Sequence, residues 1–318
     1  MKMSAKSIIR TSVLLILSCF LTASSQAEEK TVNVLQSGTL APYAEAFSGF
    51  KDRMKTLGYQ VNYNVMNLRE GSGSGIAERI KQTPADMILA IGTEAALLAK
   101  NKVGDRPLVF MMVLNPVENG VIRSFSRPGE GLTGVSLDIP IEEQFKVFKK
   151  VVPGIRKIGM IYDKRNKAAL AREASIIAEK MGLRLVSKPV LSDNEIHDAL
   201  GEVYREAECL WAAPDPMIYN PVTARNILRF TLENKMPFMA FSLNFVKAGA
   251  LLALDRDYKD IGRQTAELTS GIFKGQSPSS IPVQGPRKTR LAINIRTARI
   301  LDIHIPASLQ EEALIFGE

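Results

Sequence analysis

Cysteine is nearly absent from this chain: 318 residues contain only Cys19 and Cys209. A pair so placed gives no disulfide framework, so the core must carry stability unaided. Histidine is equally scarce. His197 and His304 lie far apart and show no ligand spacing for zinc. Lys and Arg number 41 against 33 Asp and Glu, for a net charge of +8, yet no run of five or six like charges occurs. A nucleic-acid footprint would be clustered and interleaved with aromatics, so the excess reads as a solvated surface. No apolar stretch approaches the roughly 20 residues of a spanning helix.

Phosphate-binding and nucleophile motifs are missing too. The stretch Arg69-Glu70-Gly71-Ser72-Gly73-Ser74-Gly75 looks like a phosphate loop and fails every test. The dinucleotide pattern started at Gly71 needs glycine at 76, where Ile76 stands, and no Gly-Lys-Ser/Thr follows. The G-x-S-x-G turn fails because its centre is Gly73. Its glycine–serine composition predicts a flexible loop.

What the chain does have begins at its N-terminus. Lys2, Lys6 and Arg10 precede a short apolar core, Val13 to Leu17 with Phe20-Leu21, and Ser25 and Ala27 place small side chains at a cleavage site. This predicts a signal peptide over 1–27. Lipidation at Cys19 is the alternative, although Leu17 fits that signal poorly. The protein is therefore expected in the periplasm or another extracytoplasmic space.

The remainder is long enough for two domains at the usual ~100–200 residues each. Val32 to Leu35 reads as a strand. Phe47, Phe50, Met54 and Leu57 then recur at helical spacing, with Gly58 as a C-cap. Strands at 61–66, 85–91 and 108–113 alternate with helices at 76–81 and 94–100. The pattern restarts with strands at 155–162, 183–190, 208–213 and 237–241, separated by helices at 168–181, 196–204 and 223–234. Strand–helix alternation of this kind means parallel sheets with helices on both faces. The expected fold is α/β, with two Rossmann-like lobes: lobe 1 over 31–138 and lobe 2 over 139–248. A tail this long should cross back, giving a return to lobe 1 over 249–282 and a C-terminal segment, 283–318, mainly on lobe 2.

In open parallel sheets, ligands bind beyond the carboxyl ends of the strands. That rule selects Ser37, Thr39, Gly92, Thr93 and Asn115 from the first half, and Tyr162, Asp215 and Ser242 from the second. Thr39 and Thr93 each precede a helix, where free N–H groups favour an anion such as a substrate carboxylate. Asp215, held between prolines, could meet an ammonium group. Each has a plain rival role as a helix cap or turn former. Trp211 could pack in the core or stack on a ligand, and Asp255, Asp257 and Tyr258 could form a hinge cluster or a solvated loop. The set lacks the His, Lys or metal ligands that most catalysis needs, so no catalytic residue, metal or cofactor is expected.

Several collinear motifs resemble one family. They are Ala90-Ile91-Gly92-Thr93, Val109-Phe110 with Asn115-Pro116-Val117, Arg127-Pro128-Gly129 leading to Leu132-Thr133-Gly134-Val135-Ser136, Pro153 with Lys157-Ile158-Gly159, Val246 to Ala250, Asp257-Tyr258 with Gly262, Ile281-Pro282-Val283 and Ala292-Ile293-Asn294. Together they resemble the ABC transporter substrate-binding family that includes aromatic amino-acid binders, over nearly all of 31–306. The resemblance implies a type I periplasmic-binding fold with three crossovers, a small-molecule ligand in the interlobe cleft, and delivery to a membrane permease with its ATPase. It implies a cleft lined by Ser37 to Thr39, Gly92-Thr93 and Asn115 from one lobe and by Tyr162, Asp215 and Ser242 from the other. The chain departs from the family at Asp215-Pro216, where members often have Asp-Asn, and at the charged Asp163-Lys164-Arg165. The ligand's identity stays open.

These readings predict a monomeric solute-binding protein of an ABC importer that takes an amino acid or similar polar molecule by hinge closure. A sensory protein acting on a membrane signalling partner is the alternative within binding proteins. An α/β enzyme is the alternative of another class. It would need a convergent nucleophile and base, and neither histidine falls at a strand-end loop.

Overall fold

The computed structural model describes residues 28–317 except Asp105; the expected leader, with Cys19, lies outside them. The first lobe runs β1 (Glu28–Gln36), α1 (Ala41–Thr56), β2 (Tyr59–Asn67), α2 (Gly73–Gln82), β3 (Met87–Ile91), α3 (Thr93–Lys102), β4 (Leu108–Val113) and β5 (Leu132–Ser136). Its five strands are all parallel, in the order β2-β1-β3-β4-β5. Alternation at period two feeds both faces of this sheet. Met87, Leu89 and Ile91 join one apolar cluster and Ile88 and Ala90 the other, as expected for strands covered on both sides.

The second lobe runs α4 (Ile141–Val151), β6 (Lys157–Asp163), α5 (Ala168–Lys180), β7 (Arg184–Val190), α6 (Ile196–Glu206), β8 (Cys209–Trp211), α7 (Pro221–Glu233), β9 (Phe238–Ala240), α8 (Leu243–Ala248) and β10 (Leu252–Arg256). After α9 (Tyr258–Phe273), it is completed by β11 (Thr289–Asn294), α10 (Ile295–Ile300), α11 (Ala307–Glu312) and β12 (Leu314–Phe316). Its seven strands run in the order β12-β11-β10-β9-β8-β6-β7, and only the β10–β11 pair is antiparallel. The expected α/β architecture of two sheets is present.

The crossings differ in position from the sequence reading. Leu252–Arg256 pairs with β9 and β11 in the second sheet, so the return to the first lobe begins after Arg256 and not at 249. Val283 donates its N–H to Phe125 O at 2.8 Å, and Gln284 bridges to Val135. The last crossing therefore follows Gln284, and 283–284 belong to the first lobe. Between these crossings α9 lies against α1, contributing Ile261, Ala266 and Leu268 to the first lobe's core. The two helices approach backbone to backbone: a Cβ on Gly49 would collide with the Lys259 carbonyl, and one on Gly262 with the Ala46 carbonyl.

The glycine–serine stretch is not a simple loop. Leu68–Glu70 forms a 3-10 turn and α2 begins at Gly73, where the Ser72 hydroxyl accepts the Gly75 N–H at 3.2 Å. A serine N-cap offsets the poor helix propensity of the glycines.

Candidate functional site

A cavity of about 510 Å³ opens between the lobes where the chain crosses, within the size range of small-molecule sites. The first lobe supplies the loop after β4, Leu114 to Glu118, together with Phe125. Asp138 to Ile141, Arg256 and Gly285 represent the three crossing segments. The second lobe adds the first turns of α5 and the ends of β8 and β9, with Leu170, Trp211 and Phe241. The walls are predominantly apolar; the charged side chains among them are Glu118, Asp138, Glu173 and Arg256.

Local hydrogen bonds fix this end of the cleft. Asn115 sits in the left-handed region at φ 48° and donates its N–H to Asp138 Oδ1 at 2.9 Å. Asp138 in turn donates its own N–H to Ser136 Oγ at 2.9 Å. Burial raises the Asp138 carboxyl above its usual range, against the opposing pull of the Asn115 N–H, the Ser136 hydroxyl and the Arg256 charge. Arg256 donates from Nε to Leu137 O at 2.8 Å and from Nη1 to Phe241 O at 3.0 Å. Burial lowers its pKa, although the charges of Tyr258, Asp255 and Asp138 resist that.

Trp211 packs in the core and also reaches the cavity wall. It is 1% exposed, packs edge-on against Phe145 with ring centroids 5.1 Å apart, and donates Nε1–H to Gln144 Oε1 at 2.8 Å. It also lines the cavity. Between the lobes, Lys167 of the second pairs with Glu118 of the first, Nζ to Oε2 2.6 Å.

Of the eight strand-end residues, Asn115 lines this cavity. Ser37 is buried, and its Oγ accepts the Ala95 N–H at 2.9 Å, capping α3 from the end of a neighbouring strand. Gly92 precedes α3 at φ 96°, where an added Cβ would stand 2.6 Å from both Ser37 Oγ and Tyr43 OH. Asp215 is buried and accepts N–H groups from Asp163, Met217 and Ile218. Thr39 is exposed, while Thr93, Tyr162 and Ser242 are partly so; Ser242 precedes α8 without a side-chain capping bond. Asp255 is buried and paired with Arg290 at 2.9 Å, and Asp257 caps α9 through the Asp260 N–H, so that stretch is not a solvated loop.

The strand-end rule missed Glu118, Asp138, Gln144, Phe241 and Arg256. Asp138 and Arg256 flank the crossings, and the proline of Leu137-Asp138-Ile139-Pro140 was the one local sign of them. No group of three or more His, Cys, Asp or Glu among the described residues could hold a metal. No helix among them is long and apolar enough to cross a membrane.

Comparison with known proteins agrees with this architecture. The family model described as "ABC transporter substrate binding protein" matches residues 31–315. The tyrosine-binding protein of Clostridioides difficile is 26% identical over 87% of this chain and 82% of its own length. Among solved structures, the ABC domain from Streptococcus pneumonia in complex with L-Trp is 26% identical, with a TM-score of 0.63, covering 91% of this chain and all of that one. A ligand-free, open substrate-binding protein with adhesive properties from Clostridium difficile has a TM-score of 0.75 at 21% identity, covering 90% of this chain and 98% of that one. These are solute-binding proteins and not enzymes. This chain belongs to the ABC transporter substrate-binding protein family.

Proposed function

We propose that this protein is the extracytoplasmic binding component of an ABC importer, that its ligand is an amino acid carrying an apolar or aromatic side chain, and that it binds in the interlobe cavity. The observation that carries the reading is that cavity: its walls come from both lobes, so a ligand filling it gains contacts that only the closed arrangement offers. Such a ligand shifts the population towards closure, and the permease then recognises the closed form. Asn115 contacts the ligand directly. Thr39 and Thr93 from the first lobe, with Tyr162 and Ser242 from the second, approach the ligand as the lobes close. Ser37, Gly92 and Asp215 shape the loops on which those contacts depend. The relatives bind tyrosine and tryptophan, and the apolar walls suit such side chains.

Thermal-shift measurement of the chain from residue 28 against amino acids, sugars, purines and inorganic anions tests this. An amino acid present at 100 times its Kd should stabilise by about 2.7 kcal/mol and raise the melting point by a few degrees. Stabilisation by a sugar, purine or anion, with none by any amino acid, would refute the reading.

A further inference from the structure

Arg256 is the sole cation among the residues lining the cavity, and it stands where the crossing segments converge. Two of its donor groups are spent on the Leu137 and Phe241 carbonyls, which fix the guanidinium in place. Its remaining nitrogen, Nη2, makes no hydrogen bond to the described residues and is not sealed away as an unsatisfied buried atom. A guanidinium held by two donors with another free is a preorganised receptor for a carboxylate oxygen.

Beside it lies a carboxyl group. Asp138 lines the same cavity and takes the Asn115 N–H at Oδ1. A carboxylate offers about four acceptor positions, so capacity remains for a cationic group. Arg256 Nε is bonded to the carbonyl of Leu137, the residue before Asp138, so both side chains line the same part of the cavity. Away from this pair, Ile141, Leu170, Trp211 and Leu254 present apolar surface. Glu118, paired with Lys167, and Glu173 are the cavity's other carboxylates, and both are exposed. Arg256 and Asp138 are therefore the half-buried opposite charges in its apolar wall, an arrangement that complements a zwitterion with an apolar substituent. They also reject a ligand lacking either charge, because the unmatched protein group is then left facing an apolar occupant.

We infer that Arg256 and Asp138 form a head-group subsite at the hinge, with the α-carboxylate of an amino acid on Arg256 Nη2, its ammonium on Asp138, and its side chain along the Trp211 wall. The assignment rests on the proposed amino-acid function.

Titration calorimetry with three probes tests it: L-tyrosine, tyramine, which lacks the carboxylate, and 3-(4-hydroxyphenyl)propionate, which lacks the ammonium. L-Phenylalanine and L-tryptophan, each with the matching amine and acid, extend the set. In the unaltered protein each deletion should weaken binding roughly 10- to 100-fold, as expected for the loss of a charged hydrogen bond. Arg256→Gln should abolish the preference for the amino acid over its amine while leaving its preference over the acid. Asp138→Asn should do the reverse. Arg256→Gln also removes two structural bonds, so the Asp138→Asn variant and the analogue series in the unaltered protein decide the matter if it does not fold. If an amino acid binds and these preferences survive both substitutions, or if its amine and acid bind as tightly as it does, the subsite is wrong and the function stands. If no amino acid binds the unaltered protein, function and subsite both fall.

Discussion

Ser37 and Asp215 show how a polar side chain at a strand end can be employed by its own protein. The Ser37 hydroxyl satisfies the Ala95 N–H near the start of α3, a donor that helix geometry alone leaves open. Ser37→Ala should therefore cost about 1 kcal/mol, lowering the melting point by roughly 2–4 °C. Amino-acid affinity measured well below that temperature should fall only modestly, through the loop that Ser37 supports, and a large loss of affinity without loss of stability would make Ser37 a ligand contact instead. The sequence placed this serine correctly at the end of β1. It could not tell whether the hydroxyl turns to a ligand or to a neighbouring helix, because that depends on β1 lying beside β3. Pairing in register, Gln36 opposite Ile91, is a long-range fact that no local pattern carries. Arg256 was illegible for the same reason. Its carbonyl partners are Leu137 and Phe241, distant in the chain and joined only when the crossings assemble.

The elements themselves were legible where burial imposes a period. The fully buried β3 and β4 and the amphipathic α6 stand where apolar spacing put them, to within a few residues at their ends. β10 was assigned to the wrong lobe because a buried apolar strand fits either sheet; the antiparallel pairing to β11 decides it. The contact of α1 with α9 depends on two glycines. Gly262→Ala should destabilise the protein by about 1–3 kcal/mol, in the range of overpacking, measured by urea unfolding, and a neutral result would show that the helices can separate cheaply. α9 is also tied to the last crossing through Asp260, buried to 3% of its side-chain surface, and Arg287, with Nε to Oδ2 2.9 Å and Nη2 to Oδ1 3.1 Å. Burial alone would raise the Asp260 carboxyl, but the Arg287 bonds and charge outweigh it and hold the pKa below the usual range. A depressed carboxyl contributes its stability in full above the unfolded value of about 3.9 and loses it as pH falls through the folded value. Asp260→Asn should therefore cost about 1–2 kcal/mol at neutral pH, discounted because Arg287 is partly exposed. The gap from the unaltered protein should narrow below about pH 4, and a gap independent of pH would show that the charge of Asp260 contributes nothing.

At the scale of the whole molecule, the proposed function requires the two sheets to rotate about their three crossings with little change inside either core. The Glu118–Lys167 pair joins the two lobes directly. Glu118→Gln should shift the ligand-free population towards wider opening, seen as a larger radius of gyration in solution scattering; an unchanged radius would mean that the pair does not restrain the lobes. The fold class was readable because two successive strand–helix series must make two sheets. The cleft was not, because its floor is built from crossings whose positions emerge only when the lobes assemble. The chain contains a single tryptophan, Trp211, and it lines the cavity. Its emission, excited where tyrosine does not absorb, reports that cavity alone. Titration with L-tyrosine or L-phenylalanine should change the Trp211 emission saturably, with the same midpoint that calorimetry gives. Calorimetric binding of the same amino acid with no change in that emission would place the ligand elsewhere and contradict the account.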